Sequence, residues 1–163
     1  MLKKVRIAIK TTQQEVATSL FHKKKASDIS TERNNVELMM EGRYYDDGTR
    51  VTISYKEGEL TGMQNARTSI SFQKNEPALV TMTRDGAVRT AMIFEPGRRH
   101  LCMYETPYMP FELAVATKQV ENRLEKNGTL HLVYTAEIKG ATGQHTDFLM
   151  TLLPDLDKPL RRE

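Results

Sequence analysis

The sequence predicts an all-β protein, a single antiparallel up-and-down β-barrel. Apolar and polar residues alternate over most of the chain, and glycine-containing turns interrupt the alternation at short intervals. No helical stripe of useful length follows residue 35. Because every predicted strand has one apolar face, closing the sheet into a barrel buries that face and removes the exposed edges.

The alternation defines which side chains face the barrel interior. Val5, Ile7 and Ile9 share one parity, and the same pattern recurs in each later segment. Methionine is frequent at these inward positions, where it either fills gaps in a core or lines an adaptable apolar pocket. The methionines that we predict to face inward are Met40, Met82, Met92, Met103 and Met150.

Four turns set the predicted strand registers. Asp47-Gly48 suits a two-residue type I′ turn, and Pro96-Gly97 suits the centre of a type II turn. The loops at Gly86 and Gly128 fit three-residue connections that are closed by a left-handed glycine. The resulting pairs are Tyr44 opposite Val51, Met82 opposite Val88, Met92 opposite Leu101, and Leu124 opposite Leu130.

The length of 163 residues fits one domain. We place the barrel at residues 1–153 and a proline- and charge-rich flexible tail at residues 154–163. Residues 11–34 are polar and long for a hairpin connection. They are predicted to form either a short helix over one barrel mouth or a simple insertion.

Composition favours a cytoplasmic protein with no membrane association. No apolar run is long enough to span a membrane, and the N-terminus alternates apolar and basic residues, unlike a signal peptide. The single cysteine, Cys102, excludes an internal disulfide and a Cys-x-x-Cys motif. A net charge of +3 is too small an excess to indicate nucleic-acid binding, and the aromatic stacking set of such a surface is missing.

No motif in the chain indicates catalysis. The sequence has no phosphate-binding glycine loop, nucleophile elbow or zinc signature. His100 and Cys102 share one strand face but supply only two ligands, and Glu57 and Glu59 fit a solvated strand end. We therefore predict no enzyme activity, no catalytic residues, no metal site and no cofactor.

The predicted interior suggests binding of a small apolar or amphipathic molecule, with core filling as the alternative. A barrel of about eight strands either fills its interior with side chains or holds one small ligand. Arg84 is expected in a hairpin loop at the rim, where it meets an anionic head group. The candidate lumen residues are Tyr55, Met82, Met92, Met103, Asn122, Tyr134 and Met150, of which Tyr55, Asn122 or Tyr134 would orient the polar end.

The outer surface offers an alternative function, a protein–protein interaction module. The predicted register turns His100, Cys102 and Tyr104 outward, beside Leu79 and Ile93. This outer face is more apolar than a free surface usually is. It would pack against another chain or against residues 11–34, and a homodimer around Ile93 and Tyr104 is one form of this hypothesis.

Four short motifs occur in a fixed order along the chain: "ELTGM", "RDGAV", "FEPGR" and "YETPY". With them, the stretch from about Val36 to Leu153 resembles the YwiB-like family of small bacterial proteins. The resemblance implies a calycin-like β-barrel that is related in architecture to the lipocalins. It implies no activity, cofactor or catalytic residue, so small-ligand binding is at this point an analogy between folds.

Overall fold

The computed structural model describes residues 2–16, 33–56, 66–138 and 143–153. In these residues, ten antiparallel strands form one closed barrel, as the alternation predicts. Each strand pairs with its chain neighbours, and β1 pairs with β10 to close the sheet. The strands are β1 (Leu2–Val16), β2 (Arg33–Asp46), β3 (Arg50–Lys56), β4 (Arg67–Gln73), β5 (Glu76–Asp85), β6 (Arg89–Phe94), β7 (Arg99–Glu105), β8 (Pro110–Arg123), β9 (Thr129–Ile138) and β10 (Gly143–Leu153).

The up-and-down topology gives the barrel two different ends. The turns β2–β3, β4–β5, β6–β7 and β8–β9 all lie at one end, which we call the hairpin end. At the opposite, distal end, β1 finishes at Val16, β2 begins at Arg33, and the 86–88 and 106–109 connections are found. No helix of the described residues is long and apolar enough to cross a membrane.

The barrel interior is the hydrophobic core. Side chains alternate between the two faces of each strand, so residues two apart share the interior. Each fully buried aliphatic or aromatic side chain contributes about 1.5–3 kcal/mol of transfer free energy to folding. The largest apolar side chains that are fully buried are Phe94, Ile7, Ile53, Ile70, Met82, Leu130, Leu132, Met150, Val51, Val80 and Val115.

The Asp47–Gly48 turn is longer than predicted. Tyr44 pairs with Ile53 rather than with Val51, a shift of two residues. The Asp47 carboxylate accepts hydrogen bonds from the backbone N–H groups of Thr49 and Arg50, at 2.9 and 2.8 Å, which stabilises the wider loop. Because the shift is even, the inward and outward faces of β2 and β3 remain as predicted.

The other two hairpin registers also differ from the predictions by an even number of residues. Met82 pairs with Met92 instead of Val88, and Leu130 pairs with Asn122 instead of Leu124. Gly128 has the expected left-handed φ of 75°, whereas Gly86 is not among the described glycines with positive φ. Gly86 lies instead against Ala66, where an added Cβ would be 2.9 Å from the alanine Cβ.

The predicted faces of β7 are inverted in the structure. The type II turn at Pro96-Gly97 is confirmed by the positive φ of Gly97, 77°, and by the 3.0 Å bond from Arg98 N to Glu95 O. However, Thr90 pairs with Tyr104, which is one residue out of step with the predicted Met92–Leu101 register. Cys102 is consequently buried and faces inward.

Backbone hydrogen bonds to β8 explain this one-residue shift. Gly97 N donates to Thr117 O at 2.9 Å, and Thr117 N donates to Arg98 O at 3.1 Å. The chain therefore pairs with β8 before β7 begins at Arg99. Leu101 and Met103 are turned outward, with 60% and 51% of their surface exposed.

Residues 11–34 are partly strand rather than an irregular insertion. Thr11–Val16 continues β1, and Arg33–Asn34 begins β2, where the two strands pair with each other. Residues 17–32, on which the predicted helix falls, lie outside the described residues. The predicted tail at 154–163 lies outside them as well, so the domain boundary stays a prediction.

Candidate ligand-binding site

A row of polar side chains crosses one wall of the barrel interior. Tyr55, Thr68, Arg84, Thr90 and Tyr104 pair successively across β3, β4, β5, β6 and β7. Tyr55, Thr68 and Thr90 are buried, and Arg84 and Tyr104 are half-buried. We call these five residues the polar row; they lie close to the distal end, while the apolar core continues toward the hairpin end.

Arg84 is part of this wall. The sequence analysis placed it in a hairpin loop at the rim, and that prediction was wrong. It is a residue of β5 and shares its parity with Val80 and Met82, both of which are buried in the core. Alternation therefore directs the Arg84 side chain inward. The guanidinium group is held by a strand that is paired on both sides, with Thr68 and Thr90 as its neighbours.

Tyr134, on β9, interacts electrostatically with Arg84. Burial raises the pKa of the Tyr134 phenol above its usual 10.0, while the Arg84 charge and a hydrogen bond with the Thr146 side chain act in the opposite direction. The Tyr134 ring packs against Phe94 with the ring centres 4.6 Å apart. The positive charge of Arg84 therefore acts on the Tyr134 hydroxyl group inside the barrel.

Threonines flank both members of this pair. Thr68 and Thr90 lie opposite Arg84 on the two adjacent strands, and Thr117 and Thr146 lie opposite Tyr134 in the same way. All four threonines are buried. We refer to the six residues together as the Arg84–Tyr134 cluster: Thr68, Arg84, Thr90, Thr117, Tyr134 and Thr146.

Two hydroxyl groups of the cluster have no hydrogen-bond partner among the described residues. These are Thr90 Oγ1 and Thr117 Oγ1, in side chains that are only 7% and 4% exposed. Buried hydroxyl groups are normally hydrogen-bonded, because leaving one unpaired costs about 1–3 kcal/mol. One unpaired hydroxyl adjoins Arg84, and the other adjoins Tyr134.

Partly buried apolar side chains face the interior at both ends of the barrel, with Val120 and Leu152 toward the hairpin end and others toward the distal end. Along β9, Leu130, Leu132 and Tyr134 are buried, whereas Ala136 and Ile138 at the same parity are half-buried. On other strands, the inward-facing Met40 and Tyr104 are also only partly buried against the core. The Arg84–Tyr134 cluster therefore lies between a closed apolar core and apolar side chains that are partly accessible.

Six of the seven predicted lumen residues are at inward-facing positions, and five of these are buried. Met82, Met92 and Met150 are buried in the core, and Tyr55 and Tyr134 are buried near Arg84. The inward placement of Met103 was wrong, for the reason given for β7. Asn122 lies at the hairpin end, where its side-chain amide donates to Pro77 O at 3.0 Å and its oxygen accepts from Leu124 N.

The four threonines were missed in the sequence, although alternation could have identified some of them. Thr68 shares its parity with Ile70 and Phe72, and Thr146 shares its parity with Phe148 and Met150. Threonine is common on both faces of strands, so the residue type alone does not indicate that a threonine faces the interior. The β8 bulge between Thr117 and Gln119 further obscures the parity of Thr117.

The remaining ionisable groups do not form a second interior site in the described residues. His131 Nε2 lies 2.7 Å from Asp147 Oδ1 on the outer face, and His100 Nε2 lies 3.0 Å from Glu95 Oε1. No group of three or more His, Cys, Asp or Glu side chains in the described part of the chain is arranged to hold a metal ion. Residues 57–60, with both glutamates of the predicted strand end, lie outside it.

The apolar outer face has a different composition from the predicted one. Cys102 faces inward and Tyr104 belongs to the polar row, so neither contributes as predicted. Leu101 and Met103 are exposed in their place, and Leu79 and Ile93 are half-buried. Beyond β7, Tyr108 and Met109 are exposed too, at 92% and 55%.

Comparison with known proteins agrees with the barrel topology. A family model described as a domain of unknown function, DUF1934, matches residues 21–149. The chain belongs to the DUF1934 family. This DUF1934 barrel is similar to the crystal structure of the ywiB protein from Bacillus subtilis, with a TM-score of 0.60 and 15% sequence identity. The match covers 92% of this chain and 94% of that one, and at this identity it shows the shared fold alone.

The expected resemblance to YwiB-like proteins is therefore confirmed. No curated protein matches the sequence. The family description itself assigns no function, so a functional conclusion has to come from the residues of this chain.

Proposed function

We propose that this DUF1934 barrel binds a small amphipathic molecule in the distal half of its interior. The polar end of the molecule would contact the Arg84–Tyr134 cluster, and its apolar part would contact the inward-facing side chains beside it. The observation that carries the proposal is the placement of Arg84, a charged residue on the inward face of a central strand. We propose a non-enzymatic binding protein that acts in the cytoplasm.

Electrostatics support a functional role for Arg84. Moving a charged group from water into apolar surroundings is costly, and such groups are rarely kept without a specific interaction. Within the described strands, Lys3 and Arg84 are at inward-facing positions, but Lys3 is exposed at the hairpin end, whereas Arg84 is half-buried. A leucine or methionine at this position would continue the apolar pattern of Val80 and Met82 at lower cost.

Accessible apolar surface beside the polar row supports a site in the distal half. Phe94, Met82 and Met150 are almost completely buried by one another, and Val120 and Leu152 near the hairpin end are partly buried. Met40, Ala136 and Ile138 retain accessible apolar surface on the inward face. A ligand at the distal end would bury this surface, which is the usual source of affinity in barrel and pocket sites.

The calycin-like architecture is consistent with the proposal by analogy. Small barrels of this kind have interiors that either fill with side chains or hold one ligand. In this barrel, side chains would fill the interior toward the hairpin end, and the ligand would bind toward the distal end. The candidate site therefore lies beside Tyr55 and Tyr134 and not around Met82, Met92 and Met150.

Mass spectrometry provides the direct test. The purified protein is measured under native and then denaturing conditions, and any released compound is identified. We expect one small amphipathic molecule per chain, or one-to-one binding of an added alkyl compound. Absence of a co-purifying molecule, together with no binding of alkyl acids, alcohols or amines, would contradict the proposal.

Self-association through the outer face is the alternative function, and it stays a prediction. Its residues are now Ile93, Leu101 and Met103, of which the last two are largely exposed. The partner in this hypothesis is a second copy of the chain. A monomeric mass by analytical ultracentrifugation at high protein concentration would contradict it.

A further inference from the structure

We infer that the barrel wall opens locally between β6 and β7, and that this opening is the route by which an amphipathic molecule reaches the interior. The second part of the inference rests on the proposed function, because it concerns the entry of that ligand. The first part concerns the protein alone. The two parts are therefore tested by separate measurements.

β6 and β7 share the shortest strand pairing in the barrel. Two residue pairs join them, Arg89–Glu105 and Thr90–Tyr104. Each of the other nine neighbouring strand pairs in the described residues has five or more. The remaining stretches, residues 91–94 of β6 and 99–103 of β7, are not paired with each other in the described structure. We call these two stretches the β6–β7 seam.

An unequal number of residues on the two strands explains why the pairing stops. At the hairpin end, Arg98 N donates to Glu95 O at 3.0 Å and closes the turn. Between this bond and the Thr90–Tyr104 pair, four residues lie on β6 and five lie on β7. An extra residue on one strand interrupts the ladder. β7 cannot shift to restore it, because all of Arg99–Glu105 is paired with β8.

A side-chain contact crosses the seam near the hairpin end. His100 Nε2 of β7 lies 3.0 Å from Oε1 of Glu95, the residue that directly follows β6. Both side chains are partly exposed, so solvent screens the contact. The seam is thus held by two residue pairs at its distal end, and by the turn and the His100–Glu95 contact at its hairpin end.

The weak pairing favours local opening at the seam. Segments that few backbone hydrogen bonds hold in place open at a lower free energy than the domain needs to unfold globally. The inward-facing side chains of the seam, Met92, Phe94 and Cys102, are buried in the closed barrel. An opening would therefore expose part of the core while the other strand pairs remain intact.

The seam borders the candidate ligand site. Thr90, the last paired residue of β6 before the seam, belongs to the Arg84–Tyr134 cluster. Phe94, within the seam, packs against Tyr134 with the ring centres 4.6 Å apart. A molecule that passes between β6 and β7 would consequently enter the interior beside this cluster.

Apolar side chains also line the outer side of the seam. Ala91 and Ile93 face outward from β6, and Leu101 and Met103 face outward from β7. An alkyl chain that approaches the barrel here would contact these side chains before it enters. Such contacts are favourable because they remove apolar surface from water.

Cys102 reports on the opening, because it is the single cysteine of the chain and is buried within the seam. Its reaction with the thiol reagent DTNB is measured in the folded wild-type protein at several urea concentrations. We expect labelling at least about tenfold faster than global unfolding allows, with little dependence on urea, since a local opening exposes little surface. Labelling at the rate and with the urea dependence of global unfolding would overturn the inference.

A buried cysteine elsewhere in the barrel is the matched control. Cys102→Ala/Val51→Cys moves the thiol to β3, where Val51 is completely buried and is paired with both neighbouring strands. This thiol should react only at the rate that global unfolding sets. If it reacts as fast as Cys102, the opening is not specific to the seam and the inference is overturned.

Removal of the Glu95 carboxylate should make the seam open more often. Glu95→Ala should raise the Cys102 labelling rate about two- to fivefold, as suits the loss of a partly exposed pair. Asp147→Ala is the control, because it removes a carboxylate 2.7 Å from His131 where β9 and β10 are paired continuously. If Glu95→Ala changes the labelling rate no more than Asp147→Ala does, the inference is overturned.

Entry of a ligand is measured with cis-parinaric acid, an alkyl acid whose fluorescence rises in apolar surroundings. Its association with the wild type, Glu95→Ala and Asp147→Ala is followed by stopped-flow fluorescence. Association should be faster in Glu95→Ala and unchanged in Asp147→Ala. Equal association rates in the three proteins would overturn entry through the seam, even where Cys102 shows that the seam opens.

The outcomes separate this inference from the proposed function. If Cys102 reacts through local opening but the acid does not bind, the proposed function fails for alkyl acids and the entry route fails with it, while the opening of the seam stands. If the acid binds and Cys102 reacts only through global unfolding, the inference is overturned and the proposed function stands.

Discussion

Met82 of β5 and Met92 of β6 face each other across neighbouring strands, and both side chains are buried in the barrel. Met103 of β7 was expected to join them but is half-exposed on the outer surface. Three methionines on consecutive strands thus lie in two environments: Met82 and Met92 are in the core, and Met103 is on the outer surface. This contrast offers a direct test of the orientation of β7.

Truncation of Met82 and Met103 to alanine should have very different effects. Met82→Ala removes buried atoms and leaves a cavity, so the free energy of unfolding should fall by about 2–5 kcal/mol. Met103→Ala should change it by less than about 0.5 kcal/mol, because an exposed side chain loses little contact. Urea unfolding of both variants measures the difference, and similar losses would show that Met103 is buried after all.

Local pattern predicted the inward and outward faces of most strands, although the three glycine-turn hairpin registers were wrong by two or four residues. In β3, β4 and β5, alternation places Ile53, Ile70 and Val80 correctly in the core. In β7 the turn type at Pro96-Gly97 was also predicted correctly. The orientation nevertheless depends on hydrogen bonds to Thr117, twenty residues away, which the local pattern does not contain.

The candidate site shows the same limit. Arg84 and Tyr134 could each be selected from the sequence, one for its charge and the other for its inward parity. Their proximity depends on closure of the barrel across strands that do not pair with each other. The unpaired state of Thr90 and Thr117 is likewise a property of the assembled interior, and no residue pattern predicts it.

Gly42 should be intolerant of a side chain because of its tight packing inside β2. A Cβ at this position would contact the Ile7 side chain and would lie 2.7 Å from the Ser54 carbonyl oxygen. We expect Gly42→Ala to lower the free energy of unfolding by about 1–3 kcal/mol, as overpacking does. Denaturant unfolding provides the measurement.

A double-mutant cycle with Ile7→Val isolates the contact with Ile7. This substitution removes Cδ1, which is the Ile7 atom nearest to the added Cβ. Gly42→Ala should therefore cost less in the Ile7→Val background than in the wild type. If the two changes are additive, the side chain of Ile7 is not the source of the strain.

The Lys74–Asp46 ion pair should stabilise the hairpin end at neutral pH and lose its effect in acid. Lys74 Nζ lies 2.7 Å from Asp46 Oδ2 and 3.4 Å from Glu125 Oε2, so it links three turns. Its hydrogen bond, aided by one from Gly48 N–H, lowers the pKa of Asp46 below 3.8. The stabilisation is thus present above 3.8 and is lost as the pH falls through the lowered value.

Lys74→Met should therefore have a lower Tm than the wild type at neutral pH, and this difference should shrink below pH 3.8. Lys118→Met is the control, because Lys118 is exposed. Thermal unfolding followed by circular dichroism at several pH values gives the comparison. A constant difference across the acid range would show that Lys74 acts through packing and not through the ion pair.

Tyr134 should make the wild-type protein sensitive to alkali. Burial raises the pKa of its phenol above 10.0, so the unfolded chain loses this proton at a lower pH than the folded chain. The stabilisation linked to the retained proton is complete below pH 10.0 and is lost as the pH rises through the raised value. Wild-type stability should consequently fall above pH 10.0.

Tyr134→Phe removes this titration together with the hydrogen bond to Thr146. At neutral pH the variant should be less stable by about 0.5–1.5 kcal/mol, the usual value of a lost hydrogen bond. Above pH 10.0 the difference in stability between wild type and variant should narrow. The wild type loses the stabilisation linked to the Tyr134 proton there, and the variant has no phenol at this position to titrate. Tyr108→Phe, at a position that is 92% exposed, should leave both the stability and its pH dependence unchanged. A difference between wild type and Tyr134→Phe that stays constant in alkali would mean that the phenol is accessible to solvent, and the apolar enclosure of the Arg84–Tyr134 cluster would then be wrong.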